Sequence, residues 1–332
     1  PIADNAAQLV FAVFVDDDAG GELRINRHQA GLFSELESLA ASVHTTARWD
    51  AQVRSLLQLV EGLEDTEENP EKGTEKTSDK GTQDSPAPQK TSRRVIAQRP
   101  VPTGLQATLR PYQVEGFQWL SFLYEQRLGG ILADDMGLGK TVQALALLAH
   151  AIEEHRAASE RAAERGESVE PFAPFLVVAP TSVITNWAAE AERFLPEAKI
   201  VTITETTAGK TPLAERIAGA HLVLTSYTLL RMDEDAYTGY ARTLGRTVDE
   251  FTGEQSAPEG WGALLLDEAQ FVKNTGTRAW SIARAMPART KIAMTGTPIE
   301  NNLMELWALL AIVADGLFPS ARAFRDLYAR PA

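Results

Sequence analysis

The chain has 332 residues, of which 44% are hydrophobic and 23% charged, so it can bury one large core or two ordinary ones. It has no cysteine, which excludes disulfides and cysteine-ligated zinc, and its five histidines are scattered. The formal net charge of −13 argues against a broad basic surface for nucleic acid. No apolar run approaches the roughly 20 residues of a membrane span, and no signal-peptide pattern is present, so we expect a soluble, cytoplasmic protein.

Residues 1–63 have the pattern of a small folded module. The apolar run Leu9–Val15 predicts a strand, and apolar residues at helical spacing in Gln29–Ala41 and Trp49–Leu63 predict two helices. No residues typical of catalysis stand there, so we expect a small α+β accessory module that serves packing or a partner. Because the chain begins with Pro1 and not with Met, we expect it to be a piece of a longer protein.

Residues 64–104 are predicted to be a disordered linker. The stretch from Glu64 to Arg94 contains no Ile or Leu and is rich in Glu, Lys, Thr, Ser, Gly and Pro, so it cannot bury a core. Its eight acidic and six basic side chains make it a mixed-charge tether and not a basic arm for nucleic acid.

From Leu105 onward, apolar runs typical of strands alternate with stretches typical of helices. This alternation predicts an α/β fold with a mainly parallel sheet, helices on both faces, and ligands at the carboxyl ends of the strands. Polar stretches at 153–170 and 232–259 are predicted to be surface elaborations. The predicted strands are Gly130–Ala133, Phe175–Ala179, Lys199–Thr204, His221–Thr225, Ala263–Leu266 and Lys291–Thr295. The predicted helices include Thr141–His155, Val183–Phe194, Thr277–Ala285 and Leu303–Val313. The tryptophans predicted to be core anchors are Trp119, Trp187, Trp280 and Trp307.

The run from Asp134 to Thr141 lies between a short predicted strand and a long predicted helix, which is the arrangement of a phosphate-binding loop. Glycines let backbone N–H groups turn inward around a polyphosphate, Lys140 can neutralise the β and γ phosphates, and the Thr141 hydroxyl is placed for Mg²⁺. The general pattern has Gly six positions before the lysine, where this chain has Asp134. The loop residues expected to bind a nucleotide are Met136, Gly137, Leu138, Gly139, Lys140 and Thr141.

A second acidic element completes such a site. The predicted strand Ala263–Leu266 is followed directly by Asp267 and Glu268, at the edge of the sheet where ligands are expected. We expect Asp267 to be the carboxylate on the Mg²⁺ side and Glu268 to polarise the attacking water. An acidic helix cap after a buried strand is the structural alternative.

Five motifs follow one another between residues 109 and 307. They are Leu109–Gly116 with Trp119–Leu120, Asp134–Thr141, Asp267–Gln270 with Lys273–Asn274, Thr295–Pro298, and Asn301–Asn302 with Glu305–Trp307. In this order they resemble the motifs of the Swi/Snf-type ATPases, helicase-like motors of helicase superfamily two. The resemblance covers about residues 105–332 and implies the first recA-like lobe of such a motor. Asp134 matches the form of the loop in this family, and Gln270 is similar to bacterial members.

The resemblance implies roles for further residues. Gln113 would read the adenine edge with its amide donor and acceptor, and helix capping is the alternative. Thr295 would face the nucleotide and couple hydrolysis to movement between lobes. Hydroxyl and backbone N–H groups can hold DNA phosphates without basic side chains, while Ser182 and Ser226 have helix N-capping as an equal alternative. The implied DNA-contacting residues are Thr181, Ser182, Asn186, Thr225 and Ser226.

The resemblance implies a DNA-dependent ATPase that uses ATP and Mg²⁺, translocates on double-stranded DNA and remodels protein–DNA complexes. It also implies a second motor lobe with arginine fingers; no such motif follows here, so we expect this chain alone to hydrolyse ATP very slowly. Alternatives within the enzyme class are a strand-separating helicase and an ATPase that releases stalled RNA polymerase from DNA. An alternative of another class is a nucleotide-switched interaction module. A bacterial member would be nucleoid-associated.

Overall fold

The computed structural model describes residues 99–208, 211–245, 259–298, 303–315, 317–318 and 320–326, together with the backbone of Phe11 and Ala12. Apart from those two residues, the predicted accessory module over 1–63 lies outside the described residues, as does most of the predicted linker over 64–104. Both boundaries therefore stay predictions. In the described part of the chain, no helix is long and apolar enough to cross a membrane.

A seven-stranded parallel sheet organises the fold. Its strands are β1 (Phe11–Ala12), β2 (Gly130–Leu132), β3 (Phe175–Ala179), β4 (Ile200–Thr202), β5 (Leu222–Ser226), β6 (Ala263–Asp267) and β7 (Lys291–Met294). The spatial order is β1-β2-β7-β6-β3-β5-β4, and each neighbouring pair is parallel. The predicted α/β fold with a mainly parallel sheet is thus confirmed, and the six predicted strands correspond to β2 through β7.

Helices connect the strands and cover the sheet. They are α1 (Pro111–Glu125), α2 (Lys140–Arg165), α3 (Thr181–Phe194), α4 (Leu213–Arg216), α5 (Tyr227–Met232), α6 (Glu234–Ala241), α7 (Arg278–Ala285), α8 (Leu303–Val313) and α9 (Ala321–Phe324), and a 3₁₀ turn covers Ala269–Val272. The connections through α2 and α3 lead towards the β4 edge, whereas those through α5, α6 and α7 lead back towards β2. Because crossovers between parallel strands are right-handed, the two sets of helices lie on opposite faces of the sheet.

Central strands β3 and β6 are buried along their whole length. Both have near-continuous apolar sequences, as expected for strands covered on two faces. The four tryptophans predicted to anchor the core are buried as well. Trp280 and Trp307 stack with ring centroids 6.3 Å apart, and the indole Nε1 of Trp280 donates to the carbonyl oxygen of Ala308 at 2.9 Å.

The two polar stretches predicted to be surface elaborations are mostly exposed or part-exposed where the structure describes them, but each also contributes to the packed fold. Helix α2 continues through the first stretch as far as Arg165 and buries Ala162. The second stretch contains α6, whose Tyr237 and Ala241 are fully buried. Few apolar residues are needed for such packing because the aromatic ring of Tyr237 alone buries a large area.

Polar groups at the amino end of the sheet pair with one another. Glu125, at the end of α1, forms an ion pair with Arg99, and its Oε1 lies 3.0 Å from Nε2 of His150. Lys291, the first residue of β7, donates from Nζ to the carbonyl oxygens of Ala283 at 3.2 Å and Arg284 at 2.5 Å. It thereby caps the carboxyl end of α7, where the helix dipole favours a cation.

Candidate active site

All candidate site residues that the structure describes lie at or near the carboxyl end of the parallel sheet. The loops after β2, β6 and β7 carry the residues predicted to handle a nucleotide. The segments after β3 and β5 carry those predicted to contact DNA. Strand β6 lies between β7 and β3, so it joins the two groups.

The loop after β2 has the backbone geometry of a phosphate cradle. Gly137 and Gly139 have φ angles of +88° and +79°, a region that residues with a side chain rarely adopt. At Gly139 a Cβ atom would lie 2.5 Å from Nε2 of Gln113, so an added methyl group would also have to displace that amide. Helix α2 begins directly afterwards at Lys140, and its free N–H groups and dipole favour an anion. Met136 is exposed at the tip of the loop.

The ammonium group of Lys140 lies within this loop. Its Nζ donates to the carbonyl oxygens of Asp134 at 2.8 Å and Asp135 at 3.1 Å. Thr141 follows in the first turn of α2, part exposed. The loop therefore presents one positive charge, one hydroxyl and a helix N-terminus to the same space, which fits a polyphosphate.

Asp134 departs from the general pattern for a structural reason. Its side chain is fully buried, and its Oδ2 accepts a 2.8 Å hydrogen bond from Nε2 of Gln143. Gln143 is itself fully buried in the first turn of α2. This pair fixes the start of the loop to the helix that follows it. Gln143 is not among the predicted site residues, although its position three residues after Lys140 places it on the same face of the helix.

Gln113 holds the loop from the opposite side. Its Oε1 accepts from the backbone N of Arg110 at 2.9 Å, which completes a capping box at the start of α1. Its Nε2 donates to the carbonyl oxygen of Leu138 at 3.0 Å, and the Tyr112 hydroxyl donates to the same oxygen at 3.1 Å. The capping role weighed for Gln113 is thus present, and the same amide also ties α1 to the phosphate loop.

Asp267 ends β6 and is almost fully buried. Its Oδ2 accepts from the indole Nε1 of Trp187 at 2.7 Å, and its Oδ1 accepts from the backbone N of Glu268 at 2.9 Å. Burial raises the pKa of this carboxyl, and the two hydrogen bonds and the positive charge of Lys140 oppose that rise. The phosphate loop and Asp267 are therefore close enough to influence each other electrostatically.

Glu268 has a left-handed backbone with φ of +47°, which is unusual for a residue with a side chain. Its Oε2 accepts from Nε2 of Gln270 at 2.8 Å, and Oε1 of Gln270 accepts from the Thr295 hydroxyl at 3.3 Å. Thr295, fully buried, also accepts from the backbone N of Thr297 at 3.1 Å. A chain of hydrogen bonds thus links the acidic pair after β6 to the residues after β7. Strained backbone of this kind clusters at functional sites.

Exposed polar residues begin α3. Thr181, Ser182 and Asn186 are exposed on this helix, whose N-cap is Pro180. Ser182 is therefore not the N-cap that was weighed as its alternative role. A helix N-terminus with exposed hydroxyl and amide groups can hold phosphate oxygens.

The two residues that end β5 are placed differently. The Thr225 hydroxyl faces the core, lies 2.7 Å from the Tyr237 hydroxyl and is fully buried, so this placement does not support a DNA contact by its side chain. Ser226 is the N-cap of α5, and its Oγ accepts from the backbone N of Leu229 at 3.2 Å. Ser226 is nearly buried, and the capping alternative is present there.

Lys273 also has a defined partner. Its Nζ lies 3.3 Å from Oε2 of Glu305, so an ion pair joins the segment after β6 to α8. Among the described residues, no group of three or more His, Cys, Asp or Glu side chains could hold a metal ion by itself. Mg²⁺ usually takes few protein ligands and fills its other positions with phosphate or water oxygens. Thr141 and Asp267 fit a site of that kind.

A family model described as the SNF2-related domain matches residues 112–332. The chain belongs to the SNF2-related family. The recA-like ATPase fold and the helicase-like character implied by the sequence are thereby confirmed. SNF2-family ATPases use ATP, generally with Mg²⁺, and the loop, Lys140 and Asp267 fit that pair of ligands.

Several SNF2 relatives are known by name. The chromatin-remodeling ATPase INO80 of Arabidopsis thaliana is 37% identical over 238 residues, which are 69% of this chain and 14% of that protein. The helicase ssl-1 of Caenorhabditis elegans is 36% identical over 238 residues, which are 70% of this chain and 8% of that protein. The chain thus spans a small part of these relatives. Both come from eukaryotes, so they do not support the bacterial-type assignment that Gln270 suggested.

A solved SNF2 structure has the same fold. The Sulfolobus solfataricus SWI2/SNF2 ATPase core in complex with dsDNA is 31% identical, with a TM-score of 0.52 over 68% of this chain and 40% of that chain. The core domain of the same organism, solved separately, matches equally well with a TM-score of 0.52. The solved core is therefore considerably longer than the part that this chain matches.

Proposed function

We propose that this chain is the first, ATP-binding lobe of a DNA-dependent ATPase that translocates on double-stranded DNA and remodels protein–DNA complexes. The observation that carries the proposal is the common edge of the sheet. The phosphate loop, the buried Asp267 and the exposed start of α3 stand at the carboxyl ends of strands β2, β6 and β3. Membership of the SNF2-related family and the relatives' named association with chromatin and dsDNA support the choice of duplex DNA.

Each residue has a proposed task. The N–H groups of Met136 to Gly139 and of the first turn of α2 bind the phosphates, and Lys140 neutralises them. Thr141 and Asp267 hold Mg²⁺, and Gln113 recognises the adenine. Bound ATP with Mg²⁺ supplies the γ-phosphoryl group and its leaving group. Glu268 orients water and accepts its proton, and Thr295 links this site to movement between lobes.

The acidic net charge is compatible with a DNA-binding surface of this kind. Thr181, Ser182 and Asn186 offer hydroxyl, amide and helix N-terminal donors that can hold phosphates without a basic patch. The proposed contact is therefore narrow and backbone-directed. We propose that Ser226 contacts DNA through its backbone at the start of α5. Thr225 contributes indirectly, because it orders the end of β5.

The test is the ATPase rate of the full-length protein that contains this chain, measured without nucleic acid and with duplex DNA, single-stranded DNA or RNA. We expect duplex DNA to stimulate turnover most. Lys140→Ala is expected to abolish nucleotide binding, and Glu268→Gln to retain binding without turnover. Stimulation by RNA alone would contradict the proposal.

Translocation has its own assay. Displacement of a third strand from a DNA triplex, with no separation of the duplex strands, is the expected result. Strand separation instead would identify a helicase that unwinds its substrate. A switch module would behave differently again, because Glu268→Gln would leave its partner binding intact and no movement along DNA would be seen.

A further inference from the structure

We propose that Trp187 and Tyr227 are positioning residues that transmit DNA engagement at the ends of β3 and β5 to the ATP site at Asp267. The inference rests on the proposed function and assigns a path for its regulation. Both residues are buried, and each makes a direct hydrogen bond to Asp267 from a segment that carries candidate DNA-contacting residues.

The first connection runs through α3. Its first turn presents Thr181 and Ser182 to solvent, while Trp187, on the buried side of the same helix, donates from Nε1 to Oδ2 of Asp267 at 2.7 Å. These residues belong to one helix of 14 residues. A displacement of its exposed N-terminus by DNA therefore moves the indole donor as well, because a short helix moves as a rigid element.

The second connection runs through α5. Tyr227 directly follows the capping residue Ser226, and its hydroxyl donates to the main-chain carbonyl oxygen of Asp267 at 2.9 Å. The Tyr227 ring also stacks on Phe271 in the turn after Glu268, with ring centroids 5.5 Å apart and planes at 11°. Tyr227 thus contacts Asp267 itself and the turn that follows Glu268.

These contacts meet next to a residue with a left-handed backbone. Asp267 receives one bond on its carboxylate from α3 and one on its carbonyl from α5, and the next residue, Glu268, has a φ of +47°. Hydrogen bonds to a buried carboxylate are short and directional, so a small shift of the donor changes the carboxylate position. The strained backbone of Glu268, next to Asp267, can respond to this shift by changing the orientation of the Glu268 side chain.

A coupling of this kind is measured as a ratio of affinities. Coupling between two sites commonly amounts to about 5- to 150-fold and is reciprocal, so a nucleotide must change duplex affinity by the same factor as DNA changes nucleotide affinity. The experiment uses the full-length protein in a Glu268→Gln background, which retains nucleotide without turnover. Duplex dissociation constants are measured with and without ATP and Mg²⁺, and their ratio is the readout.

Trp187→Phe removes the indole donor and keeps an aromatic ring. We expect it to bring the ratio close to 1, whereas Trp280→Phe, which loses a comparable buried bond to the carbonyl oxygen of Ala308 and not to Asp267, keeps the wild-type ratio. Tyr227→Phe removes only the hydroxyl and is expected to reduce the ratio as well. Without the Glu268→Gln change, stimulation of kcat by duplex should fall in parallel.

The outcomes separate the two proposals. If Trp187→Phe and Tyr227→Phe keep the ratio of Trp280→Phe, the path through Asp267 is wrong and the proposed function stands. If Trp187→Phe fails to fold, Tyr227→Phe alone decides the matter in the same way. If the parent protein neither binds duplex nor is stimulated by it, both proposals are overturned.

Discussion

The two ends of the same sheet use polar groups in opposite ways. At the amino end, Glu125 pairs with Arg99 and His150, and Lys291 caps α7. At the carboxyl end, Thr181 and Ser182 are exposed, and Glu268 has strained backbone. At the amino end the polar groups are bonded to internal partners, whereas the accessible or strained ones at the carboxyl end are those proposed to serve ligands.

Asp267 stands between these two cases. It lies at the carboxyl end, yet both of its carboxylate oxygens accept hydrogen bonds from within the protein. Its donors come from elements that begin at the same end of the sheet. A group that is internally bonded can thus still belong to the functional end, provided that its partners can be moved by a ligand.

The largest effect is expected when the same change, Glu to Gln, is made at each end of the sheet. Glu268→Gln should lower kcat by about 100-fold or more, because a general base contributes that much, and should leave ATP affinity almost unchanged. Glu125→Gln should leave kcat unchanged and lower the free energy of unfolding by about 1 kcal/mol through loss of its ion pair with Arg99 and weakening of its contact with His150. Steady-state ATPase kinetics and chemical denaturation measure both. A fall in kcat for Glu125→Gln would contradict this division of roles between the two ends of the sheet.

The next largest effect concerns the buried amide that holds the phosphate loop. Gln143→Leu leaves the buried Asp134 without that donor and should lower the free energy of unfolding by about 2 to 3 kcal/mol. Nucleotide affinity should fall too, because the loop loses its anchor. Gln118→Leu, which loses a weak 3.4 Å bond to the carbonyl oxygen of Arg99, is the control. Equal effects of the two changes would contradict the anchoring role.

Lys291 gives a pH-dependent test of the amino end. Burial lowers the pKa of its ammonium from 10.5 to about 8. Between these values the unfolded chain binds more protons than the folded one, so the contribution of Lys291 to stability rises as the pH increases from about 8 to 10.5. Relative to Lys291→Met, the wild type should gain on the order of 2 kcal/mol between pH 7.5 and pH 10. Urea denaturation of both proteins at the two pH values measures this gain, and a constant difference would refute it.

The smallest effect is expected at the exposed start of α3. Ser182→Ala should weaken duplex binding about two- to tenfold, as expected for the loss of one hydrogen bond, and change stability by less than about 0.5 kcal/mol. Ser159→Ala, on the distal part of α2, is the matched control and should leave duplex affinity unchanged. Fluorescence anisotropy with a labelled duplex measures both. Unchanged affinity in Ser182→Ala would remove this residue from the proposed contact.

The sequence predicted the elements that depend on local pattern. The apolar runs from Phe175 to Ala179 and from Ala263 to Leu266 became central strands, and the glycines at 137 and 139 have the backbone angles that a phosphate loop needs. Local periodicity and turn chemistry carry this information because neighbouring residues determine both.

The contacts that support the site could not be predicted in the same way. Trp187 and Asp267 are 80 positions apart, and Tyr227 and Asp267 are 40 apart. Their partnership depends on β6 lying next to β3 in the sheet, which no local pattern reveals. The burial of Thr225 has a similar origin, because a strand covered on both faces does not alternate between core and solvent.

Gly139 lies so close to Gln113 that replacing one of its Cα hydrogens by a methyl group would affect both phosphate binding and the proposed adenine recognition. An alanine at position 139 would place its methyl group 2.5 Å from the Gln113 amide and would also have to adopt a φ of +79°. The amide would be displaced, and with it the bond to Leu138 that shapes the loop. One added carbon would therefore disturb the phosphate cradle and the proposed adenine reader together.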